Sequence, residues 1–196
     1  MPEEKTTFVE GLFRQHGPIL KTGFLRENGI YYRALAKLTR NGSVQKLKTG
    51  YYAWGASMLD ISDVEAAAAL VPFGIVCLQS AAVLHELTTL NPLAVTIAIP
   101  SNRTRVALPE YPPIELVSSA MQTFELGAVK MGGIHVYGRE RTVCDFFRKR
   151  KQLGNDLALE VLQSYMRGPR NLQTLFDYAG ALRIKGVIKP YVEALS

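Results

Sequence analysis

Residues 7–54 read TFVEGLFRQHGPILKTGFLRENGIYYRALAKLTRNGSVQKLKTGYYAW, and turn residues cut this stretch into three helical periodicities followed by a ribbon. Phe8, Leu12 and Phe13 recur at helical spacing ahead of Gly17-Pro18, a pair that cannot continue a helix. A second, short helix is predicted from about Thr22, a candidate N-cap, to Asn28-Gly29, whose glycine suits a left-handed C-terminal turn. Ile30 opens the third. Along it Ile30, Ala34, Leu35 and Leu38 share one side, while Arg33, Lys37 and Arg40, spaced i, i+4, i+7, share another. After Asn41-Gly42, the runs Val44–Lys48 and Tyr51–Trp54 flank a Thr49-Gly50 turn and read as a two-stranded wing. The order predicts a winged helix-turn-helix over residues 1–55.

That arrangement suits duplex DNA. An α-helix fits the major groove, where its early residues reach base edges, while flanking cations and a basic ribbon neutralise phosphates. Arg33 is the residue best placed to read a guanine, with Tyr32 beside it. Lys37, Arg40, Lys46 and Lys48 are expected at phosphates, and Thr49 at the tip of the wing completes the predicted surface. The competing reading is a solvated charged face on a small module that docks protein.

The chain of 196 residues is 47% hydrophobic, enough for one large or two small folded domains. Its net charge of +6 is unevenly spread: residues 1–55 carry 9 basic and 4 acidic side chains, residues 56–138 carry 3 and 7, and residues 139–196 carry 11 and 6. Positive charge therefore gathers at both ends of the sequence, and the middle does not suit a polyanion. MPEEKTTF has neither a basic start nor an apolar run, and no segment approaches the roughly 20 apolar residues of a membrane span, so a cytoplasmic protein with no membrane partner is expected. Cys77 and Cys144 lie in apolar sequence without metal-ligand spacing and are expected to be reduced and buried.

Residues 55–60 read as a linker, and a second domain over 56–196 is expected to be α+β, with a small sheet and several helices. A helix begins near Ser62-Asp63, with Glu65 available to its first turn, and Pro72 stops it. Gly74–Leu78 is a short β-branched run, and SAAVLHEL (80–87) returns to helical spacing. Strands are predicted at Ala94–Ile99 and Ile114–Ser118, and as a hairpin from about Ala128 to Tyr137 around Gly132-Gly133. From Arg141 the pattern is helical to the end, with breaks at Gly168-Pro169 and Gly186.

Catalytic and metal motifs fail one by one, and neither a catalytic residue, a metal nor a cofactor is expected. His85-Glu86 would need a histidine at position 89 to make a zinc-protease motif, and Thr89 stands there. His16 and His135 have no ligand spacing, the glycines make no phosphate-loop pattern, and Ser80 and Ser101 lack a nucleophile elbow. Asp60, Asp63, Glu110 and Glu115 do not form a metal-nuclease set. Asp145, inside an apolar run, is expected to pair with Arg141 or Arg148. Arg148, Lys149, Arg150 and Lys151, with Arg139 and Arg141, form a candidate second basic surface for DNA backbone or an acidic partner; the competing reading is a solvated helix end.

The ordered set of segments resembles the AbiEi family of antitoxins, bacterial transcriptional regulators of type IV toxin-antitoxin systems. The resemblance is carried by GIYYRALAKLTRNGSVQKLKTGYYAW (29–54), PFGIVCLQSAAVLHEL (72–87), VTIAIP (95–100), GGIHVYGRERTVCDFFRKRKQLGNDLALEVLQSYM (132–166) and RIKGVIKPYVEAL (183–195). It implies a DNA-binding domain that recognises inverted repeats in its own promoter and autorepresses the operon. It further implies a C-terminal domain that neutralises an AbiEii-type nucleotidyltransferase toxin of an abortive-infection system without a stable complex. Recognition-helix and wing roles carry over to Tyr32–Arg40 and Lys46–Tyr52. A stand-alone winged-helix regulator, a winged helix joined to a nuclease-like C-terminal domain, and a protein-docking adaptor are the rival expectations.

Overall fold

The computed structural model describes residues 3–55, 61–103 and 106–195, with side chains from residue 6 onward. The chain divides into two compact units, residues 1–70 with 105–113 and residues 71–104 with 114–196.

In the first unit, α1 (Glu3–His16) is followed by β1 (Ile19–Lys21), α2 (Thr22–Glu27), α3 (Tyr32–Arg40), β2 (Val44–Lys48) and β3 (Tyr51–Trp54). All three predicted helices and the ribbon are present. Thr22 is the first helical residue rather than the cap: Lys21 holds that position, and no side chain bonds the helix start. The strand β1 was not expected. It pairs antiparallel with β3, Ile19 opposite Ala53 and Lys21 opposite Tyr51, giving a three-stranded sheet in the order β1-β3-β2. Val9, Phe13, Leu25, Ile30, Leu35, Leu38 and Val44 pack into one buried cluster that joins all three helices to the ribbon. Of the residues assigned inward on α1, Leu12 and Phe13 are buried and Phe8 faces solvent.

A domain boundary was expected at residue 55; the first compact unit also holds α4 (Asp63–Leu70) and residues 106–113. The start of α4 is as predicted. Glu65 accepts from the Ser62 amide at 2.8 Å and Ser62 Oγ accepts from the Glu65 amide at 3.3 Å, a reciprocal capping box. The Tyr111 hydroxyl donates to Asp63 Oδ1 at 2.6 Å, which ties the 106–113 segment to α4. The linker expected at 55–60 lies outside the described residues beyond Gly55.

The second unit contains β4 (Ile75–Val76), α5 (Leu78–Leu84), β5 (Val95–Pro100), β6 (Ile114–Ser119), α6 (Met121–Phe124), β7 (Ala128–Met131), β8 (Ile134–Tyr137), α7 (Arg139–Leu153), α8 (Asn155–Arg167), α9 (Leu172–Ala181) and α10 (Lys185–Ala194). As expected, the strands form one sheet, in the order β6-β5-β4-β8-β7. It is mixed: β5/β6 and β4/β8 run parallel, β4/β5 and β7/β8 antiparallel. Gly132 and Gly133 both take positive φ in the β7–β8 turn, where glycine carries no Cβ penalty. The four C-terminal helices build the largest core around Val143, Phe146, Phe147, Val161, Leu162, Leu175 and Ile188. Cys77 and Cys144 are buried free thiols, as expected. No helix among the described residues is long and apolar enough to cross a membrane.

Candidate nucleic-acid interface

Helix α3 gets its two faces from its sequence. Leu35 and Leu38 are buried in the first unit's core, whereas Arg33, Lys37 and Arg40 are exposed on the opposite side. None of these three cations enters a hydrogen bond or an ion pair among the described residues. Tyr31 holds the N-cap position and Tyr32 opens the helix, with 63% and 81% of their surfaces exposed. Two adjacent tyrosines in water at a helix start are an exposed aromatic surface of the kind that interaction sites use. The exposure of Tyr31 was not anticipated, although the YYR triplet signalled it.

The ribbon divides its cations. Lys46, opposite Tyr52, is exposed, and Thr49 is exposed in the turn before Gly50, whose φ of 84° is left-handed. Lys48 does not behave as predicted. The strand pairing shifts register between Lys46 and Lys48, and Lys48 is half-buried. Its ammonium donates to Leu70 O at 2.6 Å and Ala107 O at 2.9 Å, and lies 4.6 Å from the centre of the Tyr51 ring. Burial, with Lys21 nearby, lowers its pKa. Lys48 thus ties the last turn of α4 and the 106–113 segment to the ribbon, so it is corrected from a phosphate contact to an internal tie. Leu70 O is one of the carbonyls a helix leaves unpaired at its C-terminus, and a cation there also complements the helix dipole.

Of the six cations predicted to form a second basic surface, Arg141 is buried. Arg141 is 1% exposed. Its Nε donates to Asp145 Oδ2 at 2.9 Å, its Nη1 to Thr123 O and Leu126 O at 2.7 Å each, and its guanidinium lies 4.1 Å from the Tyr137 ring centre. The expected partner of Asp145 is therefore Arg141, with Arg148 at a distant 3.9 Å. Burial raises the Asp145 pKa, and Arg141 opposes that rise. Arg139 is half-buried, donating from Nη1 to His85 O at 2.7 Å. Arg150 donates to Phe147 O at 2.8 Å. Only Arg148 and Lys151 are exposed, with Lys149 half-buried.

His85 is buried, and its Nε2–H donates to Tyr137 O at 2.7 Å; burial lowers its pKa. Among the described residues no group of three or more His, Cys, Asp or Glu could hold a metal ion. Asp63 and Glu110 lie in the first unit and Glu115 in the second, while Asp60 falls outside the described residues. The chain matches no family model, and a search of the curated proteins finds no match.

Proposed function

We propose that this protein is a DNA-binding regulator whose first unit is a winged helix-turn-helix, with α3 in the major groove and the β2–β3 ribbon against the backbone. The observation that carries this reading is the row Arg33, Lys37 and Arg40. Its three cations are exposed and unpaired among the described residues, on a helix whose other face is anchored in a core. Leaving three cations unpaired gains the folded chain nothing, but aligned at helical spacing they match a phosphate-lined groove. Over residues 1–70 and 105–113 the sequence carries ten basic and eight acidic side chains, so the positive character is local to this face. Tyr32 and Arg33 would reach base edges, while Lys37, Arg40, Lys46 and Thr49 would hold the backbone. Together with the resemblance to AbiEi antitoxins, this supports an autorepressor that binds inverted repeats in its own promoter. Its second unit would act as antitoxin toward a nucleotidyltransferase-like toxin.

The test is a fluorescence-anisotropy titration of upstream DNA against scrambled DNA across a salt series. Arg33→Ala should cost about 1–3 kcal/mol on the specific site and relax its sequence preference, whereas Lys37→Ala should lower affinity on all DNA and reduce the salt slope by about one. Absence of binding at low salt would remove the regulator reading. If DNA binding holds, co-expression with an AbiEii-type nucleotidyltransferase toxin separates an antitoxin from a stand-alone regulator.

A further inference from the structure

A cavity of about 60 Å³ in the second unit lies between β6, β8 and α7, and its lining includes Cys77, Ser119, Arg141, Asp145, Arg148 and Lys149. That is well above the roughly 10–15 Å³ that a single water needs, and leaves room for a small polyatomic ion. The walls carry three cations against one carboxylate. Asp145 is already taken by Arg141 at 2.9 Å, and its contact to Arg148 is a long 3.9 Å. Arg148 and Lys149, the more exposed of the lining cations, are therefore in surplus, and Lys149 makes no hydrogen bond or ion pair among the described residues.

A second observation comes from the cavity wall. Ser119 is 5% exposed, and its buried Oγ makes no hydrogen bond of full geometry among the described residues, its near polar neighbour being the Tyr137 hydroxyl. A buried hydroxyl left with only such a contact is under-satisfied, and a ligand acceptor in the cavity would complete it. The neighbouring Tyr137 hydroxyl donates to Phe124 O at 2.7 Å, so its oxygen can only accept from Ser119, whose hydroxyl can turn from that contact to a ligand in the cavity. Cys77 offers a neutral thiol, since burial pushes its pKa well up, so it adds no negative charge. A cation would meet the surplus positive charge, and an apolar ligand would strand the hydroxyl and the ammonium.

We propose that this cavity binds a phosphate group, with the ammonium of Lys149 and the guanidinium of Arg148 at its open side and the Ser119 hydroxyl donating from within. The group is either free inorganic phosphate or the phosphate of a nucleotide whose sugar and base stay outside a space this small. The assignment does not depend on DNA binding by the first unit.

Isothermal titration of the full chain with inorganic phosphate, at constant ionic strength in chloride, tests it. Saturable one-site binding is expected. Lys149→Gln should weaken it by about tenfold or more, the loss of one charge-assisted hydrogen bond. Lys151→Gln, whose lysine is on the same helix but outside the lining, should leave it unchanged, and Ser119→Ala should weaken it less than Lys149→Gln. Lys149 is half-buried and unpaired, so its removal leaves the fold intact; an unchanged thermal midpoint in chloride checks this. Parallel titrations with adenosine monophosphate and adenosine assign the source. Tighter binding of the monophosphate than of phosphate identifies a nucleotide, and binding of phosphate alone identifies the free ion. No saturable heat with either, or equal binding by wild type and Lys149→Gln, overturns the proposal. Unchanged affinity of Lys149→Gln for promoter DNA separates this site from the first unit's.

Discussion

Replacing Arg141 with methionine keeps most of the side chain's volume and removes its charge, leaving Asp145 nine-tenths buried with no close partner. Three hydrogen bonds go at once: the ion pair at 2.9 Å and the donations to Thr123 O and Leu126 O at 2.7 Å. Removing one member of a buried pair costs about 3–5 kcal/mol, mostly the penalty of the stranded charge. The two carbonyls would add about 1–3 kcal/mol each if they found no water, but they share one donor group and the terms do not sum. We expect a net loss of about 3–5 kcal/mol, read as a lower denaturant midpoint in far-UV circular dichroism, which follows the helices of the second unit.

The pH dependence gives the sharper check. Burial already holds the Asp145 pKa above its unfolded value, and Arg141 is the main influence lowering it, so the variant's folded pKa rises further. A carboxyl with a raised folded pKa penalises the native state above that pKa, and the penalty vanishes below the unfolded pKa of about 3.9. The deficit of Arg141→Met should therefore be largest near pH 7 and shrink by up to about 1.4 kcal/mol per unit as pH falls. His85 titrates in both proteins and cancels in the difference. Replacing both residues, Arg141→Met with Asp145→Leu, should recover most of the loss. A deficit under about 1 kcal/mol at pH 7, or one that grows on acidification, would refute the reasoning.

Three further outcomes follow from the same geometry. Lys48→Met should destabilise the first unit by about 1–3 kcal/mol through the carbonyls of Leu70 and Ala107, seen in the fluorescence of the single tryptophan, Trp54; it should leave the salt slope of DNA binding unchanged, unlike Lys37→Ala. Because burial lowers the folded pKa of His85, its neutral form contributes stability above the unfolded pKa of about 6.5 that is lost as pH falls below it; His85→Gln should flatten that part of the stability–pH curve. Gly127 has a φ of 75°, and a Cβ there would stand 2.7 Å from Arg141 Cβ and 2.9 Å from Tyr178, so Gly127→Ala should cost more than the about 1 kcal/mol of left-handed backbone strain alone, measured by thermal denaturation.

Local periodicity made the first unit's helices and ribbon legible, together with the exposed row Arg33, Lys37 and Arg40, because one apolar stripe per helix leaves the opposite face determined. The Ser62–Glu65 capping box and the glycine turn of the β7–β8 hairpin were legible for the same reason: their bonds close within four residues. What lay outside reach depends on partners distant in sequence. The three residues of β1 carry no period of their own and become a strand only by pairing with β3, 30 to 34 positions away. Lys48 reads as a wing cation until the carbonyls of Leu70 and Ala107, 22 and 59 residues on, turn it inward. In α7 every residue from Arg141 to Phe147 is buried, so the helix has no solvent side there and its cations cannot be sorted by phase. Local hydrogen bonding and apolar spacing belong to the sequence itself, whereas the direction a charged side chain takes is decided by whether a distant acceptor reaches it more cheaply than water does.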